Sequence, residues 1–184
     1  MKNRTQWIVV GVVVAAIAIA LVIATKTMGS DLFPVQPGSK APEFKAAVMT
    51  PGASGTKNIT DYRGQVVLLN LWATWCGPCK QEMPSIQSLH EQLGPKGLRV
   101  IALSVDDPGL EEAINAFVAE HKLTFEILHE GSGKIEHDYQ TSGIPETFLI
   151  GKDGVIRKRV IGAAQWNSDA NIALVKGLLA EDAP

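Results

Sequence analysis

The sequence has little cysteine, no histidine cluster and no excess of charge of either sign. Lys and Arg number 17 against 19 Asp and Glu, so the chain lacks the basic footprint of a nucleic-acid-binding protein. A tetrahedral zinc site needs four ligands, and none of the four scattered histidines lies at ligand spacing from the two cysteines. We therefore expect no metal site and no nucleic-acid partner.

One long apolar run stands near the amino terminus. Residues 7–24 comprise 18 positions without a charge, and as a helix they would span about 27 Å, close to the apolar thickness of a bilayer. A cleaved signal peptide ending near Ala18-Ile19-Ala20 is the alternative, but the run continues past that point and favours an uncleaved anchor. Lys2 and Arg4 precede the run, which predicts an inside amino terminus and an extracytoplasmic, periplasmic remainder.

The rest of the chain divides into a short tether and one domain. Residues 1–26 are assigned to the single-pass anchor in the cytoplasmic membrane, and residues 27–40, rich in Gly, Pro and Ser, to the tether. Residues 41–184 are long enough for one sizeable hydrophobic core.

Strand-like and helix-like segments alternate along this domain. Asp106-Asp107-Pro108 is interpreted as the cap of the second helix, and Asn167 or Ser168 as the cap of the last. The pattern predicts an α/β fold in which a mixed sheet is covered on both faces. Strands are expected at residues 44–49, 57–60, 66–71, 98–105, 124–128, 146–150 and 155–161, and helices at 75–93, 110–121, 134–139 and up to about 180.

Both cysteines lie in one short motif, WCGPC, at residues 75–79. A structural disulfide is a poor interpretation, because a loop this short gives only about 2 kcal/mol in the chain-entropy model. Cys76 follows a buried strand and opens a helix, where unsatisfied N–H groups and the helix dipole favour a thiolate. Gly77 and Pro78 are expected to leave Cys76 exposed at the tip, and Cys79 can resolve a mixed disulfide. The pair is therefore predicted to be catalytic.

The motifs resemble the thioredoxin superfamily. The stretch NLWATWC at residues 70–76, Glu82 after the cysteines and GIPETFLIGKDGVI at residues 143–156 are similar to the membrane-tethered TlpA/ResA/CcmG branch. The resemblance implies a thioredoxin-like mixed sheet flanked by helices, with an amino-terminal β-hairpin and a central helix-strand insertion. Asn70 stands where thioredoxins have a buried Asp, so that Asp's role is not expected here.

Roles for several site residues follow from the same resemblance. Pro145 is expected to be cis rather than an ordinary trans proline, with Ile144 close to Cys76 and its backbone pairing with an extended substrate. Glu82 is expected to be a partly buried acid that tunes the thiols or shuttles the Cys79 proton, the alternative being a solvated carboxylate. Trp166 is assigned to packing. Substrate contacts are expected from Trp75, Gly77, Pro78, Ile144 and Glu146.

The resemblance also suggests partners and a direction of electron flow. We expect a reductant of protein disulfides, with apocytochrome c as a candidate client during cytochrome c maturation, and electrons from a membrane thiol transporter of the CcdA/DsbD type. No cofactor is expected beyond the Cys76–Cys79 redox disulfide itself. The alternatives are a thiol peroxidase, a general periplasmic disulfide exchange protein and a non-catalytic binding module. The first is disfavoured because Ala73 and Leu69 replace the expected hydroxyl and proline of the peroxidatic motif.

Overall fold

The computed structural model describes residues 2–27, 35–50 and 52–182. Contacts divide the chain into two units that meet between residues 34 and 35. The boundary predicted at residue 40 therefore falls inside the second unit, where Val35 is buried and Lys40 forms a β-bridge with Val155.

The described residues of the amino-terminal unit form the helix α1 (Lys2–Thr27). Its segment Gln6–Ile23 has a mean hydropathy of 2.7 and is long and apolar enough to cross a membrane, a criterion that a signal sequence also meets. The expected apolar run is therefore helical, while length and composition do not separate an anchor from a signal.

A seven-stranded mixed sheet organises the second unit. The strands are β1 (Ala46–Val48), β2 (Thr56–Lys57), β3 (Val66–Trp72), β4 (Leu98–Ser104), β5 (Glu126–His129), β6 (Glu146–Ile150) and β7 (Ile156–Ile161). Their spatial order is β2-β1-β5-β4-β3-β6-β7, with β3, β4 and β5 mutually parallel and the other neighbours antiparallel.

Helices cover both faces of this sheet, as expected. Every residue of β3 is buried, and alternate side chains join opposite cores: Leu68 belongs to a cluster with residues of three helices on one face, whereas Leu69 belongs to a cluster on the other face. Full burial of such a side chain contributes roughly 1.5–3 kcal/mol. The helices are α2 (Gly77–Leu93), α3 (Glu111–Glu120), α4 (Lys134–Asp138) and α5 (Asp169–Ala180), with 3-10 turns at Ile59–Tyr62 and Gly94–Lys96.

Two of the expected elements differ in the structure, in each case because polar side chains form other contacts. The strand predicted at 57–60 is mostly a 3-10 turn, because Asn58 and Asp61 form a reciprocal capping box there. The cap predicted at Asp106 is wrong: α3 begins at Glu111, and the Asp106 carboxyl group is buried in contacts with the preceding strand ends. Ser168 caps α5 by accepting a hydrogen bond from the backbone N–H of Asn171, as expected.

Candidate active site

The two cysteines form a disulfide across the first turn of α2. Cys76 is the N-cap of this helix, and its Sγ accepts a hydrogen bond of 3.2 Å from the backbone N–H of Cys79. Strand β3 ends at Trp72, so a connection of three residues leads from the sheet to Cys76. The predicted position of Cys76 at a helix amino end is confirmed, and the dipole there favours negative charge on its sulfur.

The disulfide is more enclosed than the sequence suggested. Cys76 is only 4% exposed and Cys79 is fully buried, both within the core cluster that contains Met83. The expectation of an exposed Cys76 is therefore wrong for the oxidised protein, in which its sulfur is bonded to the buried Cys79. Trp75, in contrast, is 69% exposed beside the pair. Gly77 and Pro78 are exposed as well.

The loop before β6 lies against the same cluster. The Ile144–Pro145 peptide bond is cis, which confirms that prediction. Ile144 is half-buried and packs on the hydrophobic cluster that contains both cysteines. The carbonyl of Pro145 accepts a 2.8 Å hydrogen bond from the backbone N–H of Gly162, which ties this loop to the end of β7. The structure therefore places Cys76 and Cys79 in one hydrophobic cluster with Ile144 packed against it, while a direct approach of Ile144 to Cys76 stays a prediction.

Glu82 lies inside the protein, one turn beyond Cys79 on α2, and is 2% exposed. Its Oε1 accepts hydrogen bonds from Trp166 Nε1 at 2.6 Å and from the backbone N–H of Ala164 at 3.2 Å. Its Oε2 accepts one from Asn70 Nδ2 at 3.2 Å. Burial raises the pKa of Glu82 above its usual value, and the three hydrogen bonds reduce the rise. The solvated alternative for Glu82 is therefore excluded.

Trp166 was assigned to packing, and that assignment is incomplete. Its ring is fully buried, but its indole N–H donates the shortest of the hydrogen bonds that Glu82 receives. The two residues are 84 positions apart, so no local spacing could have connected them. Asn70 joins the same network by donating to Thr147 on β6 at 2.8 Å.

Asp106 forms hydrogen bonds with the connection that leads from β3 to Cys76. Its fully buried carboxyl group accepts hydrogen bonds from the backbone N–H and the hydroxyl of Thr74 at 3.0 and 2.7 Å, and from the Ser104 hydroxyl at 2.7 Å. Thr74 lies two residues before Cys76, so these bonds anchor the connection that carries the sulfur. Sequence reasoning missed this role, because Asp106 resembled a helix cap.

Glu146 is placed differently from the other expected substrate residues. Its side chain is fully buried and forms an ion pair with Arg159 of β7. Burial counts against direct contact between this carboxylate and a substrate, although such contact stays an untested prediction.

Comparison with known proteins agrees with this geometry. The model of the AhpC/TSA family matches residues 37–159. The chain belongs to the AhpC/TSA family. It is 34% identical over 167 residues, 88% of this chain and 84% of the relative, to "Thiol-disulfide oxidoreductase ResA" of Oceanobacillus iheyensis. A relative of the same name from Bacillus thuringiensis is 32% identical over 88% of this chain and 90% of its own length.

Solved structures give the same assignment. A putative thiol:disulfide interchange protein DsbE from Chlorobium tepidum matches with a TM-score of 0.69 and 28% identity, covering 78% of this chain and 98% of its own. StoA from Bacillus subtilis matches with a TM-score of 0.58 and 26% identity, covering 79% and 100%. The protein is thus a ResA-like thiol-disulfide oxidoreductase with a thioredoxin-like fold, and Cys76 and Cys79 form its C-x-x-C pair.

Replacing Glu82 should change how stability depends on pH. The raised pKa means that the folded protein holds this proton more tightly than the unfolded chain, whose carboxyl titrates near 4.5. The resulting stabilisation is complete below the unfolded pKa and is lost as pH rises through the folded pKa. Urea unfolding from about pH 4 to about pH 8 should show a smaller fall in stability for Glu82→Gln than for wild type. Exposed Glu112→Gln is the control, and equal slopes in all three proteins would contradict the prediction.

Removing the Asp106 carboxyl group should destabilise the protein. Asp106→Ala leaves three donors on Thr74 and Ser104 without this acceptor, at a cost of roughly 3 kcal/mol. The neighbouring side chain of Asp107 is exposed, so Asp107→Ala should change the free energy of unfolding by less than about 0.5 kcal/mol. Urea denaturation of the oxidised proteins measures both, and similar losses in the two variants would refute the anchoring role.

Proposed function

We propose that this oxidoreductase works outside the cytoplasm as a reductant of protein disulfides, with apocytochrome c as a candidate client in cytochrome c maturation. The observation that carries the proposal is the Cys76–Cys79 pair at the amino end of α2, packed in the same cluster as Ile144 of the cis-proline loop. A nucleophilic sulfur and a cis-proline loop packed on the same cluster together suit exchange with an extended cysteine-containing segment.

The reaction proceeds in two exchange steps. In the reduced enzyme the Cys76 thiolate attacks one sulfur of the client disulfide, forming a mixed disulfide and releasing the other client sulfur as a thiolate that takes up a proton. Cys79 then loses its proton and attacks Cys76, which releases the second client thiolate. Two electrons pass from the enzyme dithiol to the client disulfide. The enzyme is left with the Cys76–Cys79 disulfide, the state that the structure shows.

Glu82 is suited to accept the proton that Cys79 must lose. It lies one turn further along α2, where residues three apart face the same side. Its raised pKa brings proton exchange closer to neutral pH than for a solvated carboxylate. Trp166, Ala164 and Asn70 hold the acid in one orientation.

The dipeptide between the cysteines favours reduction over oxidation. Gly77-Pro78 is the dipeptide of thioredoxin, whose potential is near −270 mV, whereas the oxidant DsbA is near −120 mV. Electrons would be supplied by a membrane dithiol protein of the CcdA/DsbD type. Tethering through α1 would raise the local concentration of both partners at the membrane.

The charge distribution around the apolar helix supports the extracytoplasmic location. Basic residues precede the segment Gln6–Ile23, which favours an amino terminus inside and the redox domain outside. Either outcome for this segment, anchor or cleaved signal, delivers the domain across the membrane. The name DsbE on one structural neighbour describes thiol:disulfide interchange and is compatible with this assignment.

Trapping tests the two cysteine roles. In Cys79→Ser, Cys76 still attacks clients but nothing resolves the product, so disulfide-linked adducts should accumulate in cells. Cys76→Ser should form none, and the double Ser variant is the background control. Non-reducing electrophoresis followed by mass spectrometry identifies the clients, with a c-type apocytochrome expected among them. Equal adducts in both single variants, or none in either, would refute the assigned roles.

The reduction potential tests the direction. Equilibration of the purified protein with glutathione or dithiothreitol buffers should give a value much closer to −270 mV than to −120 mV. A value above about −150 mV would overturn the reductant role while leaving the exchange chemistry intact. Peroxide consumption that depends on Cys76 would instead support the peroxidase alternative.

A further inference from the structure

Arg159, near the end of β7, reaches three acceptors from different parts of the chain. Its Nε donates to the carboxylate of Glu146, its Nη1 to the backbone carbonyl of Val35 at 2.6 Å, and its Nη2 to that of Gln140 at 2.7 Å. Its guanidinium also lies 5.4 Å from the ring centroid of Phe148. A planar fork with several donors can serve such acceptors at once, which the point charge of a lysine cannot.

The ion pair with Glu146 lies at the start of β6, beside the cis-proline loop. Glu146 directly follows Pro145 and begins β6, and its carboxylate is fully buried, whereas the Arg159 side chain is 17% exposed. Within the described residues, Oε2 of Glu146 has no hydrogen-bond partner. Removing the partner of a buried charge is costly, so the position of Glu146 depends on Arg159.

The start of β6 in turn determines where the cis-proline loop lies. Glu146 pairs in register with Ile161 of β7, and Gly162 donates to the carbonyl of Pro145. The contact between Pro145 and Gly162 thus lies one residue beyond the register pair of Glu146 and Ile161. Ile144, on the other side of Pro145, packs on the cluster that contains the disulfide.

We propose that Arg159 is a positioning residue for substrate exchange: by fixing Glu146, it holds the cis-proline loop so that the backbone of Ile144 can pair with an extended protein substrate beside Cys76. The inference rests on the proposed function, because it requires a polypeptide client. A small dithiol does not form a strand, so its exchange at Cys76 does not depend on this loop.

The same guanidinium also holds the first residue of the second unit. The backbone N–H of Val35 donates to Gln140 Oε1 at 3.1 Å, and its carbonyl accepts from Arg159. Val35 is 6% exposed, so the chain is anchored from its first residue in this unit. Glu146 and Val35 consequently share Arg159 as a hydrogen-bond donor.

Two substrates distinguish positioning from a general loss of structure. Full-length Arg159→Gln should lose about tenfold in kcat/KM toward a synthetic peptide with a C-x-x-C-H disulfide, the equivalent of one or two backbone hydrogen bonds, mainly through KM. Oxidation of dithiothreitol by the disulfide form of the same variant should stay within about twofold of wild type. Arg159→Lys keeps the charge but not the planar fork of donors, so its kcat/KM toward the peptide should lie between those of Arg159→Gln and wild type.

Arg157 offers a matched control on the same strand. It forms an ion pair with Asp153 at 2.9 Å, at the opposite end of β7 from the cis-proline loop. Arg157→Gln therefore removes a paired arginine from β7 without touching Glu146. We expect its rates with the peptide and with dithiothreitol to match those of wild type.

A double variant covers the case in which Arg159→Gln does not fold. Glu146→Gln with Arg159→Gln removes the unpaired buried charge, and it should fold, react normally with dithiothreitol and still lose activity toward the peptide. Wild-type peptide kinetics in a folded variant, or equal losses with both substrates, would overturn the proposal, as would a double variant that still fails to fold. If the wild-type protein exchanges with dithiothreitol but with no disulfide peptide, the proposed function fails, and this inference fails with it.

Discussion

The chemistry of this protein depends on the placement of one sulfur at the amino end of α2. Cys76 is the N-cap, and its Sγ accepts a hydrogen bond from the backbone N–H of Cys79. The helix dipole favours negative charge at that position. Strand β3 supplies the rigid base, because all of its residues are buried between two helical layers. The backbone itself provides an electrostatic environment that favours a nucleophilic sulfur at this position.

Buried polar groups keep that sulfur and its surroundings in place. Asp106 secures the connection before Cys76 through Thr74, and the network around Glu82 lies one helical turn behind Cys79. A third cluster, around Arg159, supports the cis-proline loop. Each cluster joins distant segments of the chain through hydrogen bonds, and polar groups of this kind specify one arrangement because removing a partner of a buried polar group is costly. The active site is thus a small polar framework within a largely apolar core.

Local patterns were sufficient for much of the fold. The apolar run of β3, the hairpin signal between β6 and β7 and the Ser168 cap all lie where the sequence places them. The wrong cap at Asp106 came from a short-range rule that competed with a tertiary contact. Asp106 has the residue type and proline spacing of a cap, but its carboxyl group bonds to Thr74 and Ser104 at the ends of the two central strands.

The sequence alone determined the chemistry: two cysteines one helical turn apart, after a buried strand, specify a redox pair because helix geometry is local and periodic. The tertiary structure decided which groups surround that pair. The bond between Trp166 and Glu82 spans 84 positions and that between Arg159 and Val35 spans 124, and no periodicity extends over such distances. It also decided that Cys76 is enclosed when oxidised, since exposure is a property of the packed core rather than of any motif.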